Sequence, residues 1–516
     1  MRRRASSRGT GRARRAIDSQ SPRRRDHPAP RRTPSTDWCP VSSSALAPEW
    51  LTSPADPNDL APGVWPASAS RDANGVLVIG GVPATALARE FGTPVVVIDE
   101  DEARSRAVRT REAFASAAAR RGGDARVYYA GKAFLSAEIA RWMVDAGLRI
   151  DVCSGGELAV ALAAGVAPSH IGFHGNNKQV WELERAVTAG VGTIIVDSLI
   201  EIERLAAITE RLDVTQSVLV RVNSGVHAET HSFLATAHED QKFGFPLSAA
   251  EEAVARIREL PHVRFAGLHC HIGSQIFGVA GFRESASRLV ELHERLLAGG
   301  DIPLLNLGGG FGIAYTRADD PSPIEELAEG IVGAVADECD ARGIPLPTLA
   351  FEPGRSIIGT AGVTLYEVGT VKPVRVQTPD GERDRVYVSV DGGMSDNARG
   401  ALYGAQYSAR LASREGMDAP ALVRVVGMHC ESGDIVVDHE YLPGDVTPGD
   451  LLAVPATGAY TVPLASNYNH VPRPPVVAVR GGSARVIVRG ETIDDLLARD
   501  AGLDTETGLA AGEGEG

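Results

Sequence analysis

The chain of 516 residues contains no run of 18 apolar residues, so no stretch reads as a membrane-spanning helix. Cysteine is scarce. Cys39, Cys153, Cys270, Cys339 and Cys430 are scattered, odd in number and without a CxxC pair. That spacing excludes a disulfide framework and a structural zinc site, predicts no bound metal, and suits reduced thiols in a cytoplasm. Residues 1–37 have almost no large apolar side chain and no apolar segment of the kind a secretion signal requires. Twelve arginines and three aspartates give this stretch a charge of +9. The whole chain is −14, which leaves −23 for the remainder. The Arg-rich stretch is expected to be a disordered tail able to bind nucleic acid or anionic lipid, or else to precede the true translation start, the reading we prefer. The acidic body argues against nucleic acid as the main partner.

What is present is a repeat of short apolar runs and helix-period segments. Strands are predicted at 127–130, 149–152, 170–173, 193–196, 218–222, 264–268, 303–307 and 348–352, with helical stretches such as "SAEIARWMVDAG" and "SLIEIERLAAITERL" between them. Eight β/α units in about 230 residues predict a TIM-type (β/α)8 barrel. Beyond Arg355 the pattern changes to alternating and β-branched runs broken by Gly and Pro, which predict a mainly β domain. "GVLVIGG" and "PVVVIDE" precede the barrel and are expected to join it. The organisation expected is a tail at 1–37, an N-terminal segment of the β domain at 38–100, the barrel at 101–355, the rest of the β domain at 356–495 and a flexible end at 496–516.

Chemistry in such barrels sits at the C-terminal strand ends. Those ends carry Lys132, "CSGGEL", "HGNNK", "DSLIE", "NSG", "HCHIGSQ", "GGGFG" and "EPGR". Lys132 alone reads as a snorkelling strand-end lysine. Within a ring of Gly, His, Asn, Ser and charged groups it becomes a candidate nucleophile. "NLGGGFG" and "EPGR" follow the seventh and eighth strands, where this fold usually binds phosphate. A lysine facing a phosphate loop points to a phosphorylated aldehyde held as a Schiff base, and pyridoxal 5′-phosphate fits that description. Glu352 is placed to serve the cofactor's pyridine nitrogen. His269 or His271 could pack on its ring face, or either could be a structural histidine. On spacing alone a phosphosugar barrel stays open.

The chain resembles the diaminopimelate decarboxylase family, pyridoxal-phosphate enzymes with an alanine-racemase-like (fold type III) barrel and a β domain. "YYAGKAF", "DVCSGGEL", "FHGNNK", "KFGF", "GLHCHIGSQ", "LGGGFG", "EPGRSI", "VDGGMSDNARGALYG", "CESGD" and "ATGAY…SNYN" occur in the expected order, over roughly residues 40–490. The lysine, "HIGS", "GGGF" and "EPGR" are shared with ornithine and arginine decarboxylases, whereas "SDNARGALY", "CESGD" and "ATGAY" are more particular to this family. The resemblance implies that Lys132 holds the cofactor aldehyde, His271 stacks on its ring and Ser274 lies near its phosphate. It makes Gly309, Gly310 and the Glu352, Pro353, Gly354, Arg355 segment the cofactor loops, with Glu352 at the pyridine nitrogen. It assigns Arg355, Arg399, Tyr403 and Glu431 to the substrate and Tyr460 to both cofactor and substrate. Cys430 becomes the proton donor, supplied across the interface of a homodimer with shared active sites.

The chemistry agrees with that reading. meso-2,6-Diaminopimelate keeps a carboxylate at its distal end, and a guanidinium matches a carboxylate with a bidentate fork. Glu431 can take the distal ammonium, and a thiol can reprotonate the carbon that loses CO2. Arg399 could otherwise be a salt-bridging residue, and Cys430 an inert thiol. The reaction implied is decarboxylation to L-lysine and CO2, the last step of lysine synthesis. A basic amino-acid decarboxylase of the same fold and a non-catalytic pyridoxal-phosphate-binding regulator are the alternatives. Gly400 stands where the family commonly has proline, and "YTVPLASNYN" departs from its usual motif. Neither change removes a candidate group.

Overall fold

The computed structural model describes residues 46–226, 242–379 and 381–503. The Arg-rich tail at 1–37 and residues 504–516 lie outside the described residues. Eight parallel strands close a barrel: β1 (Ala125–Ala130), β2 (Arg149–Val152), β3 (Ile171–Phe173), β4 (Thr193–Val196), β5 (Gln216–Asn223), β6 (Val263–His269), β7 (Leu304–Asn306) and β8 (Thr348–Phe351). Each pairs with the next, and β8 pairs with β1 through Leu349 and Ala125. The helices between them begin where the sequence supplies a cap. Ser136, Ser154 and Ser198 accept from the backbone N–H groups of Ile139, Glu157 and Glu201, three residues into each helix.

Strand alternation divides the barrel into an outer and an inner face. Val127, Tyr129, Ile150 and Val152 pack outward against the helices. Tyr128, Ile195, Leu219, Leu304 and Ala350 form a separate apolar plug inside the barrel. Two residues further along their strands, Leu219, Leu304 and Ala350 are succeeded by Arg221, Asn306 and Glu352. The layer above the plug is therefore polar, and it opens at the C-terminal strand ends.

The β domain is built around the 17-residue strand Gly362–Thr378, which pairs antiparallel with Gly381–Val390. Val95–Asp99 joins it as expected, antiparallel to Gly362–Thr378 and parallel to Val476–Arg480. Leu77–Ile79 packs in the β domain but outside its large sheet. It forms a three-stranded antiparallel sheet with Ser70–Arg71 and Val82–Pro83, whose apolar side chains share a core with Val363, Leu365, Ala453 and Val477. The strand is short, and the tight turn at Gly80 and Gly81 sends the chain back on itself before it can reach the large sheet. Val96, Ile98, Val476 and Ala478 pack into the main core with the helix Glu100–Arg120, so the β domain is seated on the barrel. At this junction a Cβ on Gly458 would lie 1.9 Å from the carbonyl of Ile358, so only glycine permits the approach. Among the described residues no helix is long and apolar enough to cross a membrane.

Candidate active site

A cavity of about 450 Å3 opens at the C-terminal end of the barrel. Its walls include Lys132, Asp151, His174, Arg221, His269, His271 and Glu352. Lys132 sits in a single turn, Gly131–Ala133, directly after β1. Its exposed surface faces this cavity rather than the outer surface. Burial by itself would lower the pKa of its ammonium. Tyr460, Cys153, Asp151 and Glu352 outweigh that and hold it above the usual lysine value. Of these, the two carboxylates carry their charge at neutral pH.

Glu352 follows β8 and is buried. Its Oε1 accepts from Asn306 Nδ2 at 2.6 Å and lies 3.2 Å from His174 Nε2, and its Oε2 lies 3.2 Å from His269 Nε2. Burial would raise its pKa, but the two imidazoles hold it well below the usual carboxylate range. His174 is also 2.7 Å from Asp151 Oδ1. Burial opposes its charge, yet Asp151 and Glu352 raise its pKa to about 9. Burial lowers His269 to about 4 despite Glu352, so the proton resides on His174. His174, His269 and Glu352 have donor atoms within 4.8 Å of one another. A divalent ion could use that spacing only after displacing the His174 proton, because a metal ligand must be unprotonated.

His271 accepts from the Gly309 N–H through Nδ1 at 3.3 Å. Burial, then the charges of Lys132 and Arg221, depress its pKa well below the usual value, so it is a neutral ring with its proton on Nε2. Close packing also requires glycine in this loop. A Cβ on Gly309 would lie 2.0 Å from the carbonyl of Glu352, and one on Gly310 2.4 Å from that of Gly273. These glycines let the loop after β7 dock on the ends of β6 and β8. The Pro353 carbonyl accepts from Ala130 N at 3.0 Å, and a Cβ on Gly354 would approach Ala133 to 2.9 Å. The "EPGR" turn thus packs on the turn that carries Lys132.

Arg355 extends the site toward the β domain. Its Nη2 donates to Ser274 Oγ at 2.9 Å, its Nη1 donates to the Tyr315 hydroxyl, and its guanidinium lies 4.7 Å from the centre of the Tyr460 ring. The backbone N–H of Tyr460 donates to Ala133 O at 2.8 Å, which pins this β-domain residue beside Lys132. Arg399 is buried, donates from Nη1 to the Tyr407 hydroxyl at 2.6 Å, and lies 4.7 Å from the Tyr315 ring centre. Tyr315 thereby joins the two arginines. Tyr403, Cys430 and Glu431 are not brought to this cavity. All three are exposed on the β domain, where Cys430 N donates to Asn469 Oδ1 at 3.2 Å. Cys153 does line the cavity, but burial pushes its thiol pKa up, away from reactivity.

The sequence reading missed Asp151, His174, Asn306, Tyr315 and Tyr407. Three carried a signal, since His174 opens the strand-end segment "HGNNK". Asp151 is a charge within the apolar run "RIDV", and Asn306 an amide within "PLLNL". Inward-facing polar residues at strand ends are candidates in any barrel. The donor set fits pyridoxal 5′-phosphate: an amine for the aldehyde, a carboxylate deep in the cavity for the pyridine nitrogen, and a neutral imidazole on the wall. A guanidinium and a hydroxyl beside the glycine loop suit the phosphate.

The pyridoxal binding domain of the pyridoxal-dependent decarboxylases matches residues 104–359. The diaminopimelate decarboxylase of Mycobacterium tuberculosis (strain ATCC 25618 / H37Rv) is 54% identical over 447 residues, covering 85% of this chain and 98% of the relative. That of Bacillus subtilis (strain 168) is 43% identical over 440 residues, covering 84% and 97%. The crystal structure of the diaminopimelate decarboxylase from M. jannaschii in complex with L-lysine superposes with a TM-score of 0.77 at 32% identity, covering 84% of this chain and 98% of that one. With the barrel, the lysine, the carboxylate and the paired arginines in place, the chain belongs to the diaminopimelate decarboxylase family of pyridoxal-dependent enzymes.

Proposed function

We propose that this chain converts meso-2,6-diaminopimelate to L-lysine and CO2 in the cavity at Lys132. The observation that carries the substrate assignment is the pair of guanidiniums, Arg355 and Arg399, joined through Tyr315 beside that cavity. A substrate whose distal end is a bare ammonium gives such a pair nothing to bind, whereas a distal carboxylate matches a guanidinium fork. When bound, pyridoxal 5′-phosphate supplies the aldehyde that takes the substrate amine and the ring that accepts the electron pair left behind by CO2.

The chain's own residues do the rest. Lys132 would hold the cofactor through its side-chain amine. Glu352 would serve as the anionic partner of the pyridine nitrogen, and neutral His271 would pack against the ring. Ser274, Gly309, Gly310 and Arg355 meet the phosphate, with Pro353 and Gly354 shaping the turn. Arg355 and Arg399 orient the distal carboxylate, with Tyr460 between cofactor and substrate. Tyr403, Cys430 and Glu431 act in a homodimer, entering the neighbouring subunit's cavity. There Glu431 takes the distal ammonium and the Cys430 thiol returns a proton to the carbon that lost CO2. Exposure of these three residues away from their own cavity supports that assignment. The unpaired cysteines among the described residues suit a reducing cytoplasm.

CO2 release with added pyridoxal 5′-phosphate should be fast from meso-diaminopimelate and negligible from ornithine and arginine. Lys132→Ala should abolish both this activity and the visible absorbance of the lysine-bound cofactor. A borohydride-reducible link to the cofactor persisting in Lys132→Ala would assign the anchor to another lysine.

A further inference from the structure

Among the buried charged groups the mechanism above does not use, His174 lies at the cavity itself. His174 follows β3, and its backbone N–H donates to Val152 O at 2.8 Å, so it is tied to β2 as well. Its Nε2 stands between two carboxylates, 2.7 Å from Asp151 and 3.2 Å from Glu352. Asn306 donates to the same Glu352 oxygen as His174, at 2.6 Å, and His269 holds the other oxygen at 3.2 Å. The His174 and His269 rings meet edge to face, 4.8 Å apart. Glu352 is therefore clamped by residues that follow or end β3, β6 and β7, while Asp151 on β2 braces the clamp from behind.

We propose that His174 is a positioning residue for the decarboxylation, holding the Glu352 carboxylate in place and balancing the charge of Asp151 behind it. The inference rests on the reading that Glu352 serves the cofactor's pyridine nitrogen. Two buried carboxylates sharing one site cannot both stay ionised without a cation between them. The pKa directions agree: His174 is raised to about 9, and Asp151 is pushed up to about 6 by burial. Remove the positive charge, and one carboxylate must take up a proton. If Glu352 takes it, the pyridine nitrogen loses its anionic partner.

The test uses the full-length holoenzyme and a charge-balanced pair of variants. His174→Gln keeps a hydrogen-bond donor but removes the cation. It should shift the absorbance of the lysine-bound cofactor, weaken cofactor affinity in equilibrium dialysis by roughly tenfold or more, and lower kcat with little change in KM for meso-diaminopimelate. His174→Gln combined with Asp151→Asn removes the opposing negative charge as well. It should recover most of the cofactor affinity and the parental absorbance, which a packing role for His174 would not allow. Wild-type affinity and absorbance in His174→Gln would overturn the inference, as would a double variant no better than the single. Glu352→Gln separates the two levels. Altered absorbance there with an unaltered spectrum in His174→Gln defeats this inference alone, whereas an unaltered spectrum in Glu352→Gln defeats the placement of Glu352 and the inference with it.

Discussion

Arg399→Lys keeps the charge and removes the geometry. Arg399 is only 7% exposed, and one of its nitrogens already donates to the Tyr407 hydroxyl at 2.6 Å. The plane of the guanidinium is set between Tyr315 and Tyr407, whose ring centres lie 4.7 and 5.6 Å from its central carbon. Tyr315 also takes a side-chain hydrogen bond from the guanidinium, and on the proposed reading the N–H groups left over meet the substrate carboxylate. A lysine has a single nitrogen. If it keeps Tyr407, it offers the substrate one contact in place of two, so one charge-assisted hydrogen bond is lost. Such a bond contributes about 1.5–3 kcal/mol, and each 1.4 kcal/mol is about tenfold in affinity. The KM for meso-diaminopimelate should therefore rise roughly 10- to 150-fold. On the proposed reading the contact is made to the end of the substrate that does not react, so it would serve ground and transition states alike, and kcat should fall less than about threefold. Initial rates of CO2 release over a range of substrate concentrations measure both constants. The absorbance of the bound cofactor should be unchanged, which controls for damage to the barrel. An unchanged KM, or a large fall in kcat at constant KM, would remove Arg399 from the substrate site.

Two further outcomes follow from the geometry. Mixing the inactive variants Lys132→Ala and Cys430→Ala under conditions of subunit exchange should restore up to about a quarter of the sites, because a mixed dimer carries one site with both defects and one with neither. Mixed dimers shown to form without recovered activity would place Cys430 at its own chain's site or outside the chemistry. Lys178 is buried and donates to Gly175 O, Ile195 O and Glu201 Oε1 at 2.6–2.8 Å, so Lys178→Met should cost about 3–5 kcal/mol by stranding the Glu201 carboxylate. A lower urea midpoint reads this loss, and Lys178→Met with Glu201→Leu should recover much of it; equal midpoints for the single and double variants would show that the pair itself is not what stabilises the loop.

The strands and helices of the barrel follow from local order. Apolar runs of period two and helices of period 3.6 mark all eight units, and serines at 136, 154 and 198 cap helices where the sequence puts them. Lys132, His271, Glu352 and Arg355 were legible for the same reason: each lies at or just after a strand end, and in this fold those ends share one face. The layer that holds Glu352 was legible only in part. Asp151, His174, His269 and Asn306 come from four strands, and whether their side chains meet depends on the register with which β8 closes on β1, a quantity no single segment encodes. Tyr315 and Tyr407 lie in loops far apart in sequence, and they meet at the arginines only because the β domain is seated on the barrel. The separate sheet of Leu77–Ile79 has a similar origin. Its apolar residues determine that it must be buried, but the turn at Gly80 and Gly81 and the space left beside the large sheet decide where. Local propensity and periodicity thus determined the elements and which of their ends carry chemistry. Only closure of the barrel and docking of the β domain decided which charges lie within 3 Å or so of one another, because electrostatic partnership depends on distances through space that the chain sets only once folded.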